Sequence, residues 1–216
     1  MALADWTLVG ESTPTWTLNS VYAIKGTFSG AVFGMTPADP ALGAYVVGYS
    51  LAPVNAPCGR IRTLVKFDPT LRGNDNIGVF AQMQTSIGTN RSAYFALFKL
   101  TGQTISLHKT DIITANGEVG LSQVSYGPLV LNSVYALQLN WQTDPVSGAM
   151  LLIVSVDGPV ADPSTYDYST LTPVISYTDS VAPLTTGYTV GLAGRIEPVA
   201  SPGHYILYDA IDIYTD

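Results

Sequence analysis

The feature that most constrains this chain is hydrophobic alternation at every second residue, broken repeatedly by turn-forming residues. In the stretch from Arg60 to Asp68, Ile61, Thr63, Val65 and Phe67 fall on one side, and Arg60, Arg62 and Lys66 on the other. From Ser133 to Trp141 the pattern repeats, with Tyr135, Leu137, Leu139 and Trp141 on one face and Gln138 and Asn140 opposite. A period of two is the signature of a half-buried β-strand. Ala93 to Leu100 and Ala149 to Val156 are apolar on both faces, as expected for strands covered on both sides. Further strands are predicted over 20–28, 44–50, 77–84, 104–109, 188–195 and 204–214.

The punctuation agrees. Asp-Pro pairs at Asp39-Pro40, Asp68-Pro69, Asp144-Pro145 and Asp162-Pro163 set turns, the Asp capping and the Pro fixing φ. Thr101-Gly102-Gln103 and Asp157-Gly158 mark further reversals. No amphipathic helical stretch of useful length interrupts them. Ten or more short strands must close as a sandwich or barrel, because one sheet leaves an apolar face open. The expected fold is an all-β, two-sheet antiparallel jelly-roll sandwich in one unit over 1–216. Residues 1–14 are either its first strand or an N-terminal arm. A six-residue echo, Leu18-Asn19-Ser20-Val21-Tyr22-Ala23 and Leu131-Asn132-Ser133-Val134-Tyr135-Ala136, reads as one turn-into-strand device used twice.

Composition narrows function. The 216 residues carry a net charge of −7, and the nine basic residues form no cluster. Nucleic acid is therefore not an expected partner, since phosphate binding needs grouped Lys and Arg. No window is long and apolar enough for a membrane helix, so membrane insertion is not expected either. The single cysteine, Cys58, excludes an intrachain disulfide and reads as an inert thiol in a Pro-rich loop. The N-terminus lacks a secretory-signal pattern, which suggests folding in a cytoplasm.

From about Gly59 onward the order of elements resembles the concanavalin A-like (laminin G-like) jelly-roll superfamily. The likeness rests on Ile61 to Asp68 with Gly78-Val79-Phe80-Ala81, and on Tyr94-Phe95-Ala96-Leu97-Phe98 leading to Leu107. It continues in Tyr135 to Trp141 followed by Leu151 to Val156 and Asp157-Gly158. Val190-Gly191-Leu192 with Tyr208-Asp209-Ala210-Ile211-Asp212-Ile213 closes it. The resemblance implies a fold used by lectins, carbohydrate-binding modules, glycosidases and viral surface proteins, and fold alone does not choose among them.

Residue chemistry weighs the choices. Glycosidases of this fold use two close carboxylates, but Glu11, Glu118 and Glu197 are far apart, and no E-x-D-x-x-E motif occurs. Asp209 and Asp212 fall on opposite faces of a regular strand unless a bulge intervenes. The chain is expected to be non-catalytic. The resemblance also implies a structural calcium at Asp209, with Asp5 as partner; no other cofactor is required. Asp75 reads first as a turn residue. For glycan stacking, Trp16, in an expected loop, and Tyr166 and Tyr168, in the 162–169 loop, are the candidates.

Two functions follow as expectations. One is a bacteriophage virion component, as a head-decoration, fibre or tail-associated domain packing on other virion proteins or on copies of itself. It would assemble in the host cytoplasm and present a surface to cell glycans. The other is an extracellular carbohydrate-binding module of a glycan-active protein.

Overall fold

The computed structural model describes residues 6–10, 15–19, 29–33, 44–50, 56–67, 76–83, 92–109, 119–185, 189–196 and 205–215. Among these, all regular structure is β-strand. In chain order the strands are β1 (Trp6–Gly10), β2 (Thr15–Asn19), β3 (Ser29–Phe33), β4 (Ala44–Ser50), β5 (Cys58–Lys66), β6 (Asn76–Met83) and β7 (Tyr94–Lys99). Then come β8 (Thr104–Lys109), β9 (Val119–Ser125), β10 (Val134–Thr143), β11 (Met150–Asp157), β12 (Thr172–Asp179), β13 (Thr189–Ile196) and β14 (Tyr205–Thr215).

They form two seven-stranded antiparallel sheets. Sheet A runs β1-β4-β13-β6-β7-β8-β9, and sheet B runs β12-β11-β10-β5-β14-β3-β2. The expected jelly-roll sandwich is thus the observed fold. Strands predicted after residue 43 are found within a residue or two of their expected ends. The strand predicted over 20–28 lies outside the described residues. Four strands were not predicted: Ser29–Phe33, Val119–Ser125, Thr172–Asp179, and Thr15–Asn19, which holds Trp16. Within 1–14, Trp6–Gly10 is an edge strand paired with β4. The six-residue echo separates: Leu18 and Asn19 belong to β2, whereas Leu131 and Asn132 form the turn before β10.

Alternation explains the core. Ile61 and Val65 of β5, Leu137 and Leu139 of β10, and Leu152 and Val154 of β11 meet Ile77, Val79, Tyr94, Ala96, Phe98, Ile105 and Leu107 of the facing sheet in one buried cluster. Phe67, Phe98 and Tyr135 pack as mutually tilted rings with centroids 5.2 to 5.6 Å apart, a favoured aromatic geometry. Tyr208, wholly buried on β14, reaches across and donates to the Ala193 carbonyl at 2.7 Å.

One close approach requires a glycine. A Cβ on Gly59 would lie 2.4 Å from Trp141 Cζ2 and 2.5 Å from the Tyr214 carbonyl oxygen. Gly59 pairs with both Trp141 of β10 and Thr215 of β14. The missing side chain is what lets the indole lie across β5. Trp141 Nε1 then donates to the Ala56 carbonyl at 3.2 Å.

Candidate functional site

Because the apolar residues of β5, β10 and β11 point inward, the alternate residues of the same strands form the outer face of sheet B. Register aligns them in rows. Tyr214 pairs with Arg60, Arg60 with Asn140, and Asn140 with Ile153. The next row holds Cys58, Gln142 and Leu151. On the other side lie Asp212, Arg62 and Gln138. A cleft of about 330 Å³ opens on this face, lined by side chains of these rows, chiefly Arg60, Asn140, Gln142, Leu151, Ile153 and Tyr214.

Tyr214 reaches this face because β14 is irregular. Its register against β5 shifts between Asp209, opposite Leu64, and Asp212, opposite Arg62. Ala210 between them takes φ 48°. The extra residue is a β-bulge, which reverses the alternation of everything after it. Asp209 and Asp212 therefore share one face, the exception that the regular-strand reading allowed for. Each has its own local role. Asp209 Oδ1 accepts from the Ala210 amide at 2.7 Å. Asp212 pairs with Arg62, whose Nε and Nη2 each lie 3.0 Å from Oδ2.

The two arginines of β5 differ. Arg62 is held on three sides: by Asp212, by the Tyr168 ring 4.4 Å from its guanidinium carbon, and by Tyr214 at 5.4 Å. Arg60 stacks on Tyr214 at 4.1 Å, close enough for a cation–π attraction. Its Nε is buried with no hydrogen-bond partner. Among the described residues the ion pairs are Arg62–Asp212 and Lys109–Asp179, and Arg60 enters neither. Gln138 Nε2 donates to Asn140 Oδ1 at 3.2 Å, which orients the Asn140 amide in the row beside Arg60. Tyr214 remains 45% exposed, so its ring is a platform at the edge of the cleft.

The glycan candidates from the sequence fall differently. Tyr168 is only 8% exposed: its hydroxyl donates to the Ala210 carbonyl at 2.5 Å, and its ring carries Arg62. Burial and the Asp212 charge push its phenol well above the usual range. It is a loop ring folded back onto the sandwich, where it supports Arg62. Tyr166 is half-buried edge-to-face against Tyr168 at 5.1 Å and donates to Asp157 Oδ2 at 3.0 Å. Burial, with the Asp157 contact adding to it, pushes the Tyr166 hydroxyl up to about 12. Trp16 sits on edge strand β2 of sheet B, paired with Val32, and not in a loop; its side chain lies outside the described residues. Cys58 opens β5 and lines the cleft, where a loop position was expected.

Asp209, the ligand that the resemblance implies for a structural calcium, stands on β14 just before the bulge. A hard cation of this kind takes six to eight oxygen ligands, and the Asp209 carboxylate is turned to its neighbour's amide. No group of three His, Cys, Asp or Glu residues among the described ones could hold a metal ion. Asp5 lies outside the described residues. No helix among the described residues is long and apolar enough to cross a membrane.

Sequence reasoning missed Tyr214, Arg60 and Asn140 as a group, although their signal was present as the polar faces of two alternating stretches. What was absent was the knowledge that β10, β5 and β14 are neighbours, and that a bulge turns Tyr214 outward.

The fold is a two-sheet antiparallel jelly-roll β-sandwich with one open, partly polar face. No family model and no curated protein matches the chain. Solved structures do. The carbohydrate-binding module CBM66 from Bacillus subtilis superposes with a TM-score of 0.59 at 12% identity, over 98% of this chain and 96% of that one. The exoplasmic/lumenal domain of VIP36, bound to Ca2+ and Man3GlcNAc, gives 0.60 at 13% identity over 99% and 85%. A Bacillus subtilis protein of unknown function with a galectin-like fold gives 0.58 at 11% identity over 99% and 90%. At these identities the likeness is one of fold.

Proposed function

We propose that this chain is a carbohydrate-binding module whose site is the cleft on the outer face of sheet B. The observation that carries the reading is Tyr214, an exposed ring stacked on Arg60 at the edge of a cleft lined by Asn140 and Gln142. An aromatic face meets the apolar side of a pyranose, while planar amides and a guanidinium meet its hydroxyls. A sugar ring needs that combination within one shallow cleft.

The neighbours support this function over the virion role expected from the sequence. One is itself a carbohydrate-binding module, and another is a domain bound to Man3GlcNAc. The exoplasmic or lumenal setting of the VIP36 domain supports the extracellular placement of the two expected. The work of such a site is recognition, and no step of bond breaking is assigned to it.

The test is binding to an array of oligosaccharides, followed by titration of the best ligand against Tyr214→Ala. Loss of a stacked aromatic is expected to weaken binding about tenfold or more, within the range of aromatic hot spots, while the melting temperature changes little. Binding unaltered by Tyr214→Ala would place any sugar site elsewhere on the molecule.

A further inference from the structure

We infer that the sugar bound in this cleft is acidic: a pyranose carrying a carboxylate, which the Arg60 guanidinium recognises. The inference rests on the carbohydrate-binding reading and narrows its ligand class.

Three observations converge. The first is the charge balance of the cleft. Among the described residues lining it, Arg60 alone carries charge, and no carboxylate is among them. The nearest acid along β14, Asp212, is committed to Arg62 through two 3.0 Å contacts, so it does not neutralise Arg60.

The second is the state of Arg60 itself. Its Nε is buried without a partner, and among the described residues no ion pair engages the side chain. The Tyr214 ring at 4.1 Å holds the planar group in place without using its donors. A guanidinium presents its donors as a rigid fork that matches a carboxylate two bonds at a time. Charge-assisted bonds of this kind are about twice as strong as neutral ones. A neutral ring laid over Arg60 would instead take water from a cation and return only weak acceptors, which costs binding energy. Of the two kinds of ligand, the anionic one repays that desolvation.

The third is the arrangement beside the cation. Asn140 lies in the Arg60 row and Gln142 in the next, both on β10, while Ile153 and Leu151 stand one strand further on. Carboxylate at Arg60, hydroxyls at the two amides, and the ring's apolar edge on Tyr214 and Ile153 use every side of the cleft. Arg62, already paired, supplies no second site for a doubly charged group.

Uronic acids and sialic acids both carry a carboxylate on a six-membered ring, and the experiment separates them. The intact chain is applied to an array bearing neutral oligosaccharides, oligogalacturonates, sialylated oligosaccharides and sulfated oligosaccharides. The strongest ligand is then titrated beside its carboxyl-reduced counterpart, with wild type, Arg60→Gln and Arg60→Lys, each checked for folding by its thermal melt. The expected result is about tenfold or greater preference for the carboxylated sugar, consistent with one charge-assisted hydrogen-bond pair. Arg60→Gln should erase that preference and leave the weaker binding of the reduced sugar in place. Arg60→Lys should restore part of it. An oligogalacturonate or sialoside as best ligand supports the inference and names the source. A preference for neutral or sulfated sugars, or a carboxylate preference that survives Arg60→Gln, overturns it and leaves carbohydrate binding standing. Absence of binding to every sugar on the array overturns both.

Discussion

Strands β7 and β11 read alike in sequence, since both are apolar at nearly every position, yet the structure treats their outer faces differently. On β7 every residue from Tyr94 to Phe98 is buried, and Phe95 and Leu97 join Phe80 and Ala193 in a second cluster behind sheet A. On β11 the inward residues Leu152 and Val154 are buried, but Leu151 and Ile153 are only half-buried and line the cleft. Sheet A is thus sealed on both faces at its centre, and sheet B keeps one face partly open. A sealed face contributes stability alone. An open apolar strip beside Arg60, Asn140 and Tyr214 has surface left over for a ligand.

The largest effect that this contrast predicts is at Phe95. Truncation by Phe95→Ala is expected to cost about 3–5 kcal/mol, as for buried aromatics, whereas Ile153→Ala is expected to cost under about 1.5 kcal/mol and to weaken sugar binding instead. Denaturant titration of both variants decides the matter. Equal losses of stability would mean that the two outer faces are equally sealed, and the site assignment would lose its basis. Next in size is Gly59→Ala. The added methyl meets the Trp141 ring at 2.4 Å and a backbone oxygen at 2.5 Å, so a cost of about 1–3 kcal/mol is expected from overpacking. Displacement of Trp141 would reshape the cleft floor, so binding should fall along with stability. Retained affinity in a destabilised Gly59→Ala would separate the floor from the site.

The contrast also explains what was legible in the sequence. Where one face is apolar and the other polar, as at Arg60 to Lys66 and Tyr135 to Trp141, periodicity gave both the strand and its orientation. Doubly apolar β7 and β11 gave strands without orientation, because period-two reasoning has no polar face to read. β12 is missed for a different reason: its pattern, Thr172-Pro173-Val174-Ile175-Ser176-Tyr177-Thr178-Asp179, opens with a proline and belongs to an edge strand, where proline is tolerated. The site needed two further facts, strand neighbours distant in sequence and the bulge at Ala210, and neither leaves a local trace. Tyr166 and Tyr168 read in sequence as loop rings free to stack, and their contacts with Asp157, Arg62 and the Ala210 carbonyl are tertiary ones that leave no local trace.

The smallest expected effect lies where the sheets are tied at one end. Asp179 of β12 accepts from Tyr94 and Lys109 of sheet A, each at 2.6 Å, and from the Val181 amide at 3.1 Å. Lys109 also donates to the Val181 and Ala182 carbonyls, each at 2.7 Å. Burial alone would raise the Asp179 carboxyl, but the Lys109 ammonium, the Tyr94 hydroxyl and the Val181 amide outweigh it and hold it below its ordinary 3.8. A carboxyl lowered on folding binds fewer protons folded than unfolded, so the stabilisation is complete above the unfolded value and is lost as pH falls from there toward the folded one. Asp179→Asn should therefore be less stable than wild type at pH 7, with the gap narrowing as pH drops below about 4. Denaturant midpoints measured from pH 7 to pH 2.5 follow that gap. Sugar binding at pH 7 should be unchanged in the variant, because the cluster sits between the sheets and touches none of the cleft residues. A gap that widened in acid would mean that Asp179 is held protonated by its burial, and that the ends of the two sheets are joined by a neutral hydrogen bond and not by charge.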